Sequence, residues 1–348
     1  MDLILGLLLG VYFLIGLAAA LNPLLSWIGI LLIGYFLYRE MSYQPLVSKL
    51  LPHDSRNVVG CLKSTNPPEI EVILVAHMDT GRASKGKGFS TPQIEHFSSI
   101  ILVFFLTSGI ILLSGICFLY LLGNQNELIK LLLAITLPSI IYAGVSSLVL
   151  FSGRQFREHS VGANDNASGV AVLLECARIL SQDPPESAHI TFLFTGSEES
   201  GLRGVMHFLK MLPDSQTPRK FINVDSCGVG AITMIGAEGW LRTKSSDLDL
   251  RKAGKRCAKE KGIKLQETRS RGAYISDLTP ILRAGYPGVT ISALEKGERI
   301  PLAHSENDYL ENLATNTLVD TAILLSCLVS HSRLNARSLR LDSRATVP

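Results

Sequence analysis

Charge is what this chain has least of. Only 18% of its 348 residues are Asp, Glu, Lys or Arg, against roughly 25% in ordinary soluble domains. The shortfall is concentrated in a few stretches, which argues against a wholly soluble protein. Net charge is also scarce: +3 is too little to draw in nucleic acid or another polyanion. The six cysteines (Cys61, Cys117, Cys176, Cys227, Cys257, Cys327) contain no CxxC pair. That excludes a dense disulfide scaffold and a zinc ribbon, and it fits a reducing compartment. No internal repeat is visible. Glycine-rich pieces such as Gly228–Gly230 lack the strand–turn–helix setting of a dinucleotide site.

The uncharged stretches are long. Leu3 to Tyr38 runs 36 residues without a charge, and as one helix it would measure about 54 Å, beyond a ~30 Å hydrocarbon core. Asn22-Pro23 falls near its middle and marks a break. Two short spans, about 3–21 and 24–40, are expected, with one tilted span plus an interfacial helix as the alternative. Only Asp2 precedes the apolar run, so the basic start of a cleaved signal peptide is missing. A second block follows: Phe97–Gly123 is uncharged for 27 residues and Leu131–Ser152 for 22, with a turn at Gly123–Glu127 between them. These lengths fit a transmembrane hairpin better than buried soluble helices.

The expected organisation is a transmembrane hairpin over 1–42, a soluble domain from 43–96 and 153–331, a second hairpin inserted at 97–152, and a basic tail over 332–348. A hairpin crosses the bilayer an even number of times, so both soluble pieces lie on one side and can share a site. That side carries Arg39, Lys49, Arg82, Lys85, Lys87, Arg154 and Arg157, whereas the opposite turns carry only Glu127 and Lys130. The positive-inside rule therefore puts the soluble domain in the cytoplasm, in a multi-pass integral membrane protein with the lipid bilayer as partner.

In the soluble pieces, strands are expected at 69–76, 189–194, 221–224 and 287–292. Helices are expected at 167–180, 201–211, 248–261 (charged and exposed-looking) and 313–330. The alternation implies an α/β fold with a mainly parallel sheet, whose sites gather at the carboxyl ends of the strands. The acid and histidine residues fall at such ends. His77-Met78-Asp79 closes the first strand, and Asp79 can accept from one imidazole nitrogen while the other faces a metal. Asp165 sits in the small-residue turn GANDNASG before a helix, able to bridge two cations or simply to cap that helix. Glu198-Glu199 follows the second strand, either a metal ligand beside a proton acceptor or an acidic first helical turn. Asp225 ends the third strand, and His304 lies in PLAHSEND. Each alone has an ordinary explanation. Together, two histidines and three carboxylates, one of them shared, make two zinc sites of N and O ligands, with one carboxylate left over as base.

VAHMD, GANDNASG, FTGSEESGLRG, NVDSCG and PLAHSENDYLEN, with the run Ile275-Ser276-Asp277 before Ala284–Pro287, resemble metallopeptidase family 28. These are the co-catalytic zinc aminopeptidases of bacterial leucyl aminopeptidase and aminopeptidase Y type. The resemblance spans roughly 60–95 and 155–330. It implies a phosphorylase/hydrolase-like three-layer α/β sandwich with a mixed, mostly parallel sheet. It also implies two Zn²⁺ per chain, one held by His77, Asp165 and Asp225, the other by Asp165, Glu199 and His304. Glu198 would activate the water between them, Asp79 would orient His77, and a peptide would be the substrate, cut at its N-terminal bond. The inserted hairpin is foreign to the soluble enzymes. A cysteine pair found near Ser276-Asp277 in some secreted members is absent. Two rivals remain at this level. One is a one-zinc glutaminyl-cyclase-like acyltransferase, which needs only Asp165, Glu199 and His304. The other is a non-catalytic receptor-like relative, in which ligands are lost.

Overall fold

The computed structural model describes residues 9–17, 24–41, 54–83, 109–110, 112–123, 127–155, 158–239, 243–268, 274–295 and 299–332. The chain divides into two compact units, Met1–His53 with Lys85–Glu158, and Asp54–Ser84 with His159–Pro348.

The described part of the first unit is helical: residues 9–17, α1 (Leu24–Met41), Leu112–Leu121 and α2 (Glu127–Gln155). Leu9, Tyr12, Ile15, Leu113, Ile116, Ile140 and Ala143 form its buried cluster. Much of what remains apolar faces outward, including Leu25, Trp27, Ile28, Leu31 and Leu32 on α1 and Leu131, Ile135, Ile141 and Leu148 on α2. Among the described residues, one helical stretch, Glu127–Leu148, is long and apolar enough to cross a membrane. Residues 3–8, 18–21 and 97–108 of the expected spans, Lys49, Lys85, Lys87 and Arg157, and the tail over 333–348 lie outside the described residues.

The second unit is built on a seven-stranded sheet. Its strands are β1 (Val58–Leu62), β2 (Ile70–His77), β3 (Ala188–Thr195), β4 (Arg219–Val224), β5 (Ala231–Ile235), β8 (Gln266–Glu267) and β9 (Gly288–Leu294). A small ribbon of β6 (Ala237–Glu238) and β7 (Lys244–Ser245) stands apart from it. The sheet order is β1-β3-β2-β4-β9-β5-β8. The central four strands are parallel, while β1 and β5 pair antiparallel with β3 and β9. The helices are α3 (Ser168–Gln182), α4 (Arg203–Met211), α5 (Leu248–Lys261), α6 (Leu278–Arg283) and α7 (Thr315–Ser332). The result is the mixed, mostly parallel three-layer α/β architecture that the motif resemblance implied.

Strand β2 is apolar at every interior position but Glu71, as a strand covered on both faces must be. Ile70, Val72, Leu74 and Ala76 join one cluster with Leu173 and Cys176 of α3, Ala253 and Cys257 of α5, and Leu324, Leu325 and Leu328 of α7. Ile73 and Val75 alternate to the other face and are equally buried. The expected exposed helix at 248–261 is amphipathic. Asp247 caps it by accepting from the Leu250 amide, and it buries Leu250, Ala253, Gly254, Cys257 and Ala258.

Candidate metal centre

The four parallel strands end at His77, Thr195, Val224 and Leu294, and the loops beyond them carry the expected site residues. His77 is buried at the last position of β2. Its Nε2 lies 3.2 Å from Asp165 Oδ1 and 3.8 Å from Asp225 Oδ1. The other oxygen of Asp165 lies 3.6 Å from His304 Nε2, which is 2.8 Å from Glu199 Oε1. His77, Asp165 and Asp225 form one trio and Asp165, Glu199 and His304 the other, the ligand atoms of each within 4.8 Å of one another. One carboxylate thus belongs to both. The five residues expected as ligands are the five that the fold brings together.

The charges fit cations. Three carboxylates face two imidazoles, with Glu198 and Asp277 close by. Gathering that much negative charge away from water is unfavourable unless cations neutralise it. The protonation of the residues reflects the same crowding. Burial opposes the imidazolium at His77, yet Glu198, Asp165 and Asp225 outweigh it and hold His77 well above its ordinary pKa. Burial would raise Asp165, but the two histidines draw it down. Glu198 is pushed well above the carboxylate range, by burial first and then by Asp277, Asp225 and Glu199, against His77. An all-N/O set of two imidazoles and three carboxylates suits zinc and its divalent neighbours.

Asp79 departs from expectation. His77 Nδ1 donates to the Asp79 backbone carbonyl at 3.0 Å, while the Asp79 carboxylate stands 3.8 Å away. That carboxylate instead accepts from the backbone amides of Glu198 (3.0 Å) and Glu199 (3.1 Å). Asp79 therefore orients the histidine through its main chain and holds the Glu198-Glu199 turn through its side chain. The spacing showed that Asp79 is near His77 but not which oxygen does the work.

Several supporting residues were not singled out from sequence. Asp308 is fully buried, and its two oxygens accept from the amides of Asn164 (2.6 Å) and Asp165 (3.1 Å). Asn166 donates to the Val224 carbonyl and accepts from the Gly169 and Ser226 amides, tying the Asp165 turn to the end of β4. Asn164 accepts from the Gly228 amide and donates to the Pro301 carbonyl. Both asparagines of the GANDNASG turn are buried cross-braces. Asp277 accepts from the Thr195 hydroxyl, and its other oxygen has no partner among the described residues. Burial raises this carboxyl to about 7, with Asp225 and Asp79 adding to it and His77 opposing.

The cysteines also differ from expectation. Cys257 and Cys327 form a disulfide, leaving Cys61 exposed and Cys117, Cys176 and Cys227 buried as free thiols. This bond runs against the reducing compartment that the scattered cysteines fitted. The bonded pair is 70 residues apart in sequence, a separation that carries no pairing signature.

The profile of "Peptidase family M28" matches residues 147–329. Aminopeptidase YwaD of Bacillus subtilis is 30% identical over 173 residues, 49% of this chain and 37% of that protein. Endoplasmic reticulum metallopeptidase 1 of Mus musculus is 37% identical over 82 residues, 23% of this chain and 9% of that protein. Among solved structures, BSAP, a zinc aminopeptidase from Bacillus subtilis, aligns at a TM-score of 0.51 and 19% identity, covering 81% of this chain and 51% of that one. The chain spans about a third of the length of the first of these curated relatives and about a tenth of the second.

Proposed function

The chain belongs to peptidase family M28, and from that premise we propose that it is a membrane-anchored di-zinc aminopeptidase that removes residues from the N-terminus of peptides. The observation that carries the proposal is Asp165, whose two oxygens face His77 and His304 from within two complete ligand trios. His77, Asp165 and Asp225 would hold one zinc, and Asp165, Glu199 and His304 the other. Bound there, the two ions would act as Lewis acids toward the scissile carbonyl and the attacking water.

The protein's own residues do the rest. Glu198 takes a proton from the attacking water and returns it to the leaving amine. Asp79 holds Glu198 and Glu199 in place through their amides. Asp308 and the two asparagines fix the turn that presents Asp165. The intact trio at His77 and Asp225 favours this reading over the cyclase-like one, which has no use for it, and over a receptor that has lost its ligands.

The test is metal stoichiometry on detergent-purified protein, with aminoacyl-arylamide hydrolysis in the same preparation. Two zincs per chain and chelator-sensitive release are expected. One zinc and no release would overturn the proposal.

The membrane part rests on the apolar stretch Glu127–Leu148, the outward-facing apolar side chains of α1 and α2, and the uncharged runs in the sequence. On this reading these elements would anchor a multi-pass protein with the peptidase unit on the cytoplasmic side, the side that the lysine and arginine distribution favours. The Cys257–Cys327 bond favours a second reading, the oxidising side of the membrane.

A further inference from the structure

Well apart in sequence from the catalytic residues, α5 and α7 bring a second group of metal-ligating atoms together. Cys327 and His331 stand four residues apart on one face of α7. Cys257 and Glu260 stand three apart on α5. His331 Nδ1 lies 3.4 Å from Cys257 Sγ and 3.5 Å from Cys327 Sγ. His331 Nε2 lies 3.5 Å from Glu260 Oε2, and that oxygen is 4.0 Å from Cys327 Sγ. The sulfurs are buried while His331 and Glu260 reach solvent, so an ion could enter from that side.

We propose that Cys257, Cys327 and His331 form a structural zinc-class site that is open when the two cysteines are reduced and is replaced by their disulfide when they are oxidised. Zinc bonds of about 2.3 Å to sulfur and about 2.0 Å to nitrogen, at tetrahedral angles, separate sulfur from nitrogen by about 3.5 Å. Both sulfur–nitrogen edges already have that length. Only the sulfurs have to part. In the disulfide form, Nδ1–H donates to the Cys327 carbonyl 3.1 Å away. Ligation needs the other tautomer, with the proton on Nε2, where the Glu260 carboxylate stands ready to accept it. This is the carboxylate–histidine–metal arrangement, and it makes Glu260 a positioning residue. Water fills the fourth place.

The chemistry balances. On oxidation, the two thiolates give two electrons to an external disulfide of the glutathione class. That disulfide takes up two protons and leaves as two thiols, the Cys257–Cys327 bond forms, and the metal departs as the free cation. Either state clamps α5 to α7. The clamp would hold on whichever side of the membrane the peptidase unit lies.

The experiment uses the full chain in detergent with cobalt(II) as the probe. The catalytic trios contain no sulfur, so a thiolate-to-cobalt charge-transfer band reports only on cysteine ligation. Phosphine-reduced protein should show the band and lose it on treatment with oxidised glutathione. Zinc analysis should find one more ion per chain in the reduced form than in the oxidised form, whatever the catalytic centre holds. Glu260→Gln, at the surface, should weaken cobalt binding about 10- to 100-fold, and the double variant Cys257→Ser/Cys327→Ser should abolish the band. No band in protein whose two thiols titrate as free overturns the proposal. So does a band that survives the double variant, or a disulfide that resists reduction while the protein is folded.

Discussion

Glu198 and Asp308 sit at opposite ends of the division of labour in the site. Glu198→Gln keeps the shape and removes the proton acceptor. The metal content should be unchanged and turnover should fall by about 10²- to 10⁴-fold, read as kcat on an aminoacyl-arylamide beside zinc per chain. Full activity would remove Glu198 from its role. Asp308 is different in kind, because among the described residues its carboxylate bonds to the Asn164 and Asp165 amides. Asp308→Ala leaves two buried amides unsatisfied, a loss of about 1–3 kcal/mol each. It should lower zinc affinity more than it lowers kcat at saturating zinc. Glu238 supplies a pH signature. It is buried among the Ser276, Thr279 and Thr290 hydroxyls, and burial lifts its carboxyl from 4.5 to about 7 despite those three donors. A carboxyl raised in the folded state binds more protons folded than unfolded. Metal-depleted protein should therefore lose stability as pH rises from about 4.5 to about 7, by on the order of 3 kcal/mol. Denaturant titrations across that range should show the decline, to which the raised Asp277 carboxyl adds its own share, and Glu238→Gln should make it shallower by about the Glu238 contribution.

Elements deliver these residues because parallel strands all end on one side. Residues His77 and Thr195 are paired in the β2–β3 register, and Asn223, two residues before Asp225, pairs with Val75 across β2–β4. Four loops therefore start from one edge, and Gly81, in the loop after β2, lies against the His304 and Glu199 side chains. A Cβ at 81 would stand 2.8 Å from His304 Nε2 and 2.9 Å from Glu199 Oε1. Gly81→Ala should displace the second trio alone, dropping zinc from two to one per chain and reducing turnover with little change in Tm. Retention of both ions would refute that reading of the loop. The same geometry explains what sequence could reveal. His77, Glu199 and Asp225 each follow a strong apolar run, so their place at or just after a strand end was legible before any coordinates, whereas Asp165 and His304 were legible only through the turn and loop motifs that hold them. Strand β1 was not, because its residues are mostly exposed and it owes its place to pairing with β3. Strand β5 is buried by antiparallel pairing with β9 rather than marked by its own pattern. Asn164, Asn166 and Asp308 act across 58 to 144 residues of sequence, beyond the reach of any local spacing rule.

At the scale of the whole molecule, the proposed membrane anchoring would put the peptidase unit on one side of a bilayer, and two physical signals point to opposite sides. Lysines and arginines flanking the uncharged runs favour the cytoplasm, whereas the Cys257–Cys327 bond favours an oxidising compartment. The charge signal reflects insertion, which fixes topology once. A disulfide reports the redox poise around an already folded domain, and this pair has a reduced alternative in the His331 site. We therefore give the charge distribution precedence. Cys61 makes the matter measurable, since it is an exposed free thiol on β1 while Cys117, Cys176 and Cys227 are buried. In intact cells expressing the protein, a membrane-impermeant maleimide should fail to label Cys61 and should label it once the membrane is opened. Cys61→Ser should abolish the signal, which identifies the reacting thiol. Acid-trapped alkylation in the same cells should find Cys257 and Cys327 as thiols. Labelling of Cys61 in intact cells would place the peptidase unit outside, overturn the cytoplasmic assignment, and predict that the Cys257–Cys327 disulfide is the resident state there.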